Sequence, residues 1–284
     1  MKISLIGMGR VGSTLGFALM VKGLADELVL VNRTPEVAVG ETLDLSHAST
    51  LVSEPVQIHA GGIADTQQSD IIVMCTSVPL GPQHTTRHEL AAGNVEIFCQ
   101  YIPELVEHSP HACVLIITNP VDVMTYVAWK LSGLEPQRVF GTGTIIDSAR
   151  FRGLLSQEVG IHPDDVRAYV LGEHGDTQFP ALSLALSGGE WVGGHHAARR
   201  LFKQTVRSGY EVVQHKGHTN FAIALAARFT KSKRRYSRSD LRLATPRASA
   251  GFRARAGTGA PFYPLCIVRC LHEHACPICR SNPA

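Results

Sequence analysis

The sequence predicts an α/β protein whose first half forms a parallel, doubly wound sheet. Three observations lead there. Short apolar runs alternate with stretches of helical spacing from the first residues onward. The runs Asp70–Cys75 and Cys113–Thr118 are apolar almost throughout, as a sheet covered on both faces requires. A G-x-G-x-x-G turn, Gly7 to Gly12, joins the first run to the first helical stretch.

Taken in order, Ile3 to Ile6 is a strand and Ser13 to Lys22 a helix. Between them, Gly7 allows the tight turn, Gly9 lets backbone approach a pyrophosphate, and Gly12 permits close helix–strand packing. Arg10 and Val11 stand at the opening of the helix, whose unpaired N–H groups favour an anion. The second strand, Leu28 to Val31, is followed by Asn32-Arg33-Thr34. An acid is usual there for an NAD ribose. Asparagine removes the charge that would repel a 2′-phosphate and Arg33 could pair with one, so NADP is expected beside NAD. The alternative is that Asn32 still bonds the ribose while Arg33 faces solvent.

A helical stretch from Glu36 to His47, a strand near Val56 to His59 and the Asp70–Cys75 strand follow. Thr76 to Thr86 holds Pro79, Gly81 and Pro82 and reads as a loop, His88 to His108 as a helix, Cys113 to Thr118 as a further strand.

The 284 residues suffice for one large or two moderate domains, and the apolar runs are strand-sized, too short to span a membrane. Lys2 leads straight into a strand, unlike an export signal, so the cytoplasm is the expected compartment. Charge divides the chain. Residues 1–227 hold 15 lysines and arginines against 22 acids, a net of −7; residues 228–284 hold 12 against 2, a net of +10.

Chemistry concentrates in the second half. Val166 to Leu171 suits a buried strand that stops at Gly172-Glu173-His174-Gly175-Asp176. Carboxylates can hold an imidazole in one tautomer and raise its pKa, which suits a general acid/base at a strand end. By itself the segment is equally compatible with a solvated polar turn. Asn119, in Asn119-Pro120-Val121-Asp122, follows a strand whose carboxyl end faces the crevice. Asp147 and Arg150 share a helix face, one able to orient a histidine while the other clamps a carboxylate. Such a pair alone is usually a surface ion pair.

Together, the glycine turn, Arg87, Asn119 to Asp122, Asp147 to Arg152 and Gly172 to Asp176 resemble the lactate/malate dehydrogenase family in order and spacing. Asp44 to His47, Tyr126 to Lys130 and Lys216 to Ile223 add to the likeness, which covers residues 1 to about 227. The resemblance implies reversible hydride transfer between NAD and an L-2-hydroxy acid. His174 would exchange a proton with the substrate oxygen, Asp147 would hold its other nitrogen, and Arg150 would bind the substrate carboxylate. Arg87, on the loop that closes in the family, would polarise the carbonyl. Asn119 would bond near the reacting oxygen, and Asn94 joins the cofactor-binding set. A homodimer or homotetramer is implied, and no metal.

Two departures qualify this. Six residues before Arg87, where the family places the residue that selects the acid, stands Gly81 instead of glutamine or arginine. Without an arginine a second carboxylate is poorly paired. Thr219 matches a threonine that accompanies lactate specificity, so a monocarboxylic acid is expected. From Arg228 the family-like pattern stops. Three readings compete for 228–284: sequence not homologous to the family, such as a shifted reading frame; a basic tail attracting nucleic-acid phosphate; or a zinc site from Cys266, Cys270, His272, His274, Cys276 and Cys279, which lacks a second properly spaced pair. Lone basic tails are usually just solvated, so a nucleic-acid partner is not expected.

The expectation is thus a Rossmann-type doubly wound parallel sheet in 1–142, followed by an α+β substrate domain in 143–227 with an atypical C-terminus in 228–284. The competing outcome is a chain that binds dinucleotide but has an unfinished substrate domain.

Overall fold

The computed structural model describes residues 1–78 and 87–227, with the side chains of 87–89 left aside. Gly81, the Arg87 side chain and the whole 228–284 segment, with its cysteine and nucleic-acid readings, lie outside the described residues.

In the first half, β1 (Lys2–Ile6), α1 (Arg10–Val21), β2 (Glu27–Val31), α2 (Pro35–Ser49), β3 (Gln57–Ala60), β4 (Ile71–Met74), α3 (Arg87–His108), β5 (Cys113–Ile116), α4 (Val121–Ser132) and β6 (Val139–Gly141) follow one another. The six strands make one parallel sheet in the order β3-β2-β1-β4-β5-β6. This is the Rossmann-type α/β order, reversing direction between β1 and β4 and so opening a crevice at the strands' carboxyl ends.

Strand alternation explains the unbroken apolar runs. Ile3, Leu5, Leu28, Leu30, Ile71 and Val73 pack on one face with Leu15 and Leu19 of α1. Ile6, Val29, Ile72, Met74, Val114 and Ile116 pack on the other with Phe98, Ile102 and Leu105 of α3 and Met124 of α4. Both faces are dry, so neither strand position can be polar without a partner; Ser4, the buried exception, shares a 2.6 Å hydrogen bond with Ser69.

The second half contains α5 (Ile145–Val159), β7 (Val166–Arg167), β8 (Val170–Leu171), β9 (Phe179–Pro180), β10 (Leu186–Ser187), β11 (Glu190–Trp191), α6 (Ala198–Lys216) and α7 (Phe221–Ala226). Its own core joins Phe151 and Leu155 of α5 to Val166, Val170 and Leu201. The single strand expected over Val166 to Leu171 is two. Val166 and Arg167 pair with Ser187 and Leu186, whereas Val170 and Leu171 pair with Pro180 and Phe179. The chain changes partners at Ala168-Tyr169, because each half is bonded by a different neighbour. Both halves keep a buried valine, which is what the apolar pattern had registered.

No described helix is long and apolar enough to cross a membrane.

Candidate active site

The crevice begins at the glycine turn. Gly7 has φ +101°, and a Cβ there would lie 2.6 Å from the Thr76 nitrogen. A side chain on Gly12 would collide with the Gly7 carbonyl. Among the described residues, nothing lies within 4 Å of where a Cβ on Gly9 would stand, so the chain is uncovered at the start of α1. That is the cradle a pyrophosphate needs: backbone N–H groups uncovered at a helix start. Arg10 is exposed at this end and Val11 is half-buried.

Asn32 is braced across the crevice rim. Its Oδ1 accepts from the Met8 N–H at 3.0 Å and its Nδ2 donates to the Thr34 carbonyl at 3.1 Å. The amide thus fixes the glycine turn to the loop that opens α2. Arg33 beside it is exposed.

Asn94, fully buried on α3, also spends its amide on backbone. Its Oδ1 accepts from Val78 N–H at 2.8 Å, and its Nδ2 donates to the Asn119 carbonyl at 2.7 Å. It ties together the loops that leave β4 and β5, so its described bonds support the crevice.

Beyond β5 the chain brings an aspartate, an arginine and a histidine together. Asp147 lies in the first turn of α5 with only 2% of its side chain exposed. His174 lies just past β8, where Gly172 takes φ +94° and turns the chain out of the strand. His174 Nδ1 is 2.6 Å from Asp147 Oδ2, and Arg150 Nη1 is 3.5 Å from Asp147 Oδ1. One buried carboxylate therefore faces both an imidazole and a guanidinium. With Nδ1 held by a carboxylate, the other ring nitrogen is the one left to exchange a proton.

Three contacts not singled out from the sequence fasten this arrangement. The His174 N–H donates to Asp122 Oδ2 at 2.7 Å, from the first turn of α4. Thr144 Oγ1 donates to the Val170 carbonyl at 2.7 Å, and the Val170 N–H donates to Ser148 Oγ at 2.9 Å. The last two lock β8 to the start of α5 and the first ties His174 to α4, which together align His174 with Asp147. Motif spacing offers no signal for them, since each joins residues more than twenty positions apart.

The hydrogen bond to Asp147 raises the His174 pKa above its ordinary value. Burial opposes the rise, the charges of Asp147 and Asp122 add to it, and Arg150 lowers it. The flanking acids Glu173 and Asp176, expected to hold the ring, are not among these causes. Both side chains are exposed, and water weakens what an exposed charge can do.

His174, Asp147, Arg150 and Asn119 border one cavity of about 310 Å³, together with Val11, Thr219 and Ile223. It is large enough for a small organic acid beside part of a cofactor. Its far wall is α6, where a Cβ on Gly209 would lie 3.2 Å from Arg150 Nη1 and 3.7 Å from Cζ. The guanidinium therefore rests against bare backbone, a relationship sequence patterning did not reveal. Residues from both halves of the chain meet here. Arg87 and Gly81 cannot be placed relative to them within the described residues.

A dinucleotide cradle at the switch point of a parallel sheet, opening beside a carboxylate-held histidine and a half-buried arginine, defines a nicotinamide-dependent oxidoreductase. Residues 1–141 match the lactate/malate dehydrogenase NAD binding domain, and residues 144–239 match the lactate/malate dehydrogenase alpha/beta C-terminal domain. The chain belongs to the lactate/malate dehydrogenase family. It is 42% identical over 235 residues to an L-lactate dehydrogenase of Moorella thermoacetica, covering 79% of this chain and 74% of that one. With an L-lactate dehydrogenase of Thermoanaerobacterium saccharolyticum it shares 39% over 237 residues, 80% of this chain and 76% of the relative. Among solved structures, the minor L-lactate dehydrogenase from Enterococcus mundtii in the ligands-bound form aligns with TM-score 0.76 at 30% identity. A lactate dehydrogenase from a Medee basin deep-sea metagenome library gives 0.75 at 31%. Each structure covers 79% of this chain and is covered over 74% of its own length.

Proposed function

We propose that the chain reversibly interconverts an L-2-hydroxy acid and its 2-oxo acid, with lactate and pyruvate, or a bulkier monocarboxylic pair, as substrates. The observation that carries this is the Asp147–His174–Arg150 constellation bordering a single cavity. When bound, the nicotinamide supplies or accepts the hydride. His174, protonated on Nε2, donates to the carbonyl oxygen during reduction and takes the proton back during oxidation. Asp147 stabilises the imidazolium and holds the ring's orientation. Arg150 pairs with the substrate carboxylate, Asn119 bonds near the reacting oxygen, and Arg87 stabilises charge developing on that oxygen. Gly7, Gly9, Arg10, Val11, Gly12, Asn32 and Arg33 contact the dinucleotide, and Asn94 acts through the loops it joins.

Gly81 in the selecting position and Thr219 on the cavity wall favour a monocarboxylate over malate. Asn32 and Arg33 leave room for NADP beside NAD, since no carboxylate stands there to repel a 2′-phosphate. The domain boundary near 142, a cytoplasmic location and a homodimer or homotetramer belong to the same reading. Exposed Phe17, Leu43, Phe221 and Leu225, on helices that pack together, support association. The second reading, dinucleotide binding without turnover, draws on the sequence beyond 239, which falls outside the family match.

Rates with pyruvate and oxaloacetate, each with NADH and NADPH, test this reading. Pyruvate should exceed oxaloacetate with either cofactor. Oxaloacetate turnover tenfold above pyruvate would overturn the acid assigned, and a strong NADH preference would remove NADP.

A further inference from the structure

The turn that joins α6 to α7 carries a chain of hydrogen bonds reaching across to α1. Asn220 stands at the N-terminal cap of α7, where an asparagine ordinarily bonds the first free N–H groups of its own helix. Its side chain makes no such bond. Instead its Oδ1 accepts from Lys216 Nζ at 2.6 Å, and its Nδ2 donates to Thr14 Oγ1 at 2.8 Å, across 206 positions of sequence. Chemistry fixes these directions. A lysine ammonium only donates, so the amide oxygen faces Lys216 and the amide nitrogen faces Thr14. The Thr14 hydroxyl then donates to the Arg10 carbonyl, at 2.6 Å.

Each end of this chain abuts a binding surface. Arg10 opens α1 at the glycine-turn cradle, and Val11 beside it borders the cavity. Thr219, immediately before Asn220, and Ile223, three residues after it, border the same cavity. So does Val213 of α6, three residues before Lys216. Gly217, with φ +80°, ends α6 and turns the chain toward α7. Lys216 Nζ also lies 3.9 Å from the centre of the Phe221 ring, which braces that turn from its other side. Neither Asn220 nor Thr14 borders the cavity itself. One amide therefore fastens the wall that carries Thr219 and Ile223 to the first turns of the dinucleotide helix.

We propose that Asn220 is a positioning residue for the oxo-acid site, setting the Thr219 turn against the start of α1. The proposal rests on the reading of the cavity given above. The probe is oxamate, an unreactive analogue of a 2-oxo acid, titrated calorimetrically into the full-length chain saturated with NADH. Asn220→Ala should weaken oxamate binding about 3- to 10-fold, what one or two hydrogen bonds are worth, with NADH affinity unchanged. Thr14→Val keeps the side chain's shape, removes the hydroxyl and should do the same, although Thr14 lies on the dinucleotide helix. Thr14→Ser keeps the hydroxyl and should bind oxamate as the wild type does. Both Thr14→Val and Asn220→Ala break one bond, so the double variant should be no worse than Asn220→Ala alone. Oxamate affinity unchanged in Asn220→Ala, additive losses in the double variant, or a parallel loss of NADH affinity would overturn the proposal and leave the reading of the cavity intact. No oxamate binding by the NADH-saturated wild type would overturn that reading and the proposal with it.

Discussion

The carboxylate of Asp147 meets the imidazole of His174 at 2.6 Å, across 27 positions of sequence, and is itself almost wholly buried. A group so placed cannot be replaced by water without leaving the ring free to turn. Asp147→Asn should therefore lower kcat by about 10²- to 10⁴-fold, with NADH affinity retained. Single-turnover reduction of pyruvate measures this directly.

The same pair sets the pH dependence. In the proposed reaction reduction needs the imidazolium, so its rate should fall as pH rises through the raised His174 pKa. In Asp147→Asn that fall should move to lower pH. The pair's contribution to stability is complete below the ordinary histidine value of about 6.5 and is lost as pH rises through the raised one. Rate–pH profiles of both proteins check the direction; an unmoved or upward-moved profile contradicts it.

Arg150 lies against Gly209, with room for a methyl group only if the guanidinium shifts. Gly209→Ala displaces it by a few tenths of an ångström, and should raise the KM for the oxo acid about 3- to 10-fold. Arg150→Lys loses the fork and should raise it on the order of 100-fold, about 3 kcal/mol of charge-assisted bonding. NADH binding should be untouched in both. Steady-state kinetics with varied oxo acid distinguishes this from a general loss of fold.

Asn94→Ala strands two backbone groups, the Val78 N–H and the Asn119 carbonyl. Each costs about 1–3 kcal/mol if left unpaired and buried. Thermal unfolding should fall by several degrees, and NADH affinity should fall with it. Asn94→Asp keeps the acceptor for Val78 and loses the donor to Asn119, so it should recover only part of the loss.

Asn32→Asp keeps an acceptor for the Met8 N–H and adds the charge a ribose hydroxyl favours. It should shift the ratio of kcat/KM toward NADH over NADPH by about tenfold, one charged contact's worth. Initial rates with both cofactors give the ratio.

The sequence and the structure agree where local pattern governs. Apolar alternation in β1, β2 and β4 places residues on two dry faces, and Gly12 abuts the Gly7 carbonyl as its place in the turn implies. Local pattern reaches less far where partners lie far apart in the chain. It points to the acids beside His174, which are exposed, whereas Asp147 of α5, expected from the family resemblance, is the group that meets the ring. The apolar run from Val166 to Leu171 records burial and not pairing, so the change of strand partner at Ala168-Tyr169 left no trace in it. Asp122, Thr144 and Ser148 hold the site through single hydrogen bonds that no spacing rule encodes.

Pyruvate-dependent oxidation of NADH by the purified full-length chain and its His174→Ala variant tests the proposed role of His174 most directly. Turnover by the wild type is expected, with a loss of at least about 100-fold in the variant and NADH bound equally by both. Turnover that survives the substitution, or NADH binding without turnover of any 2-oxo acid in the wild type, would contradict it.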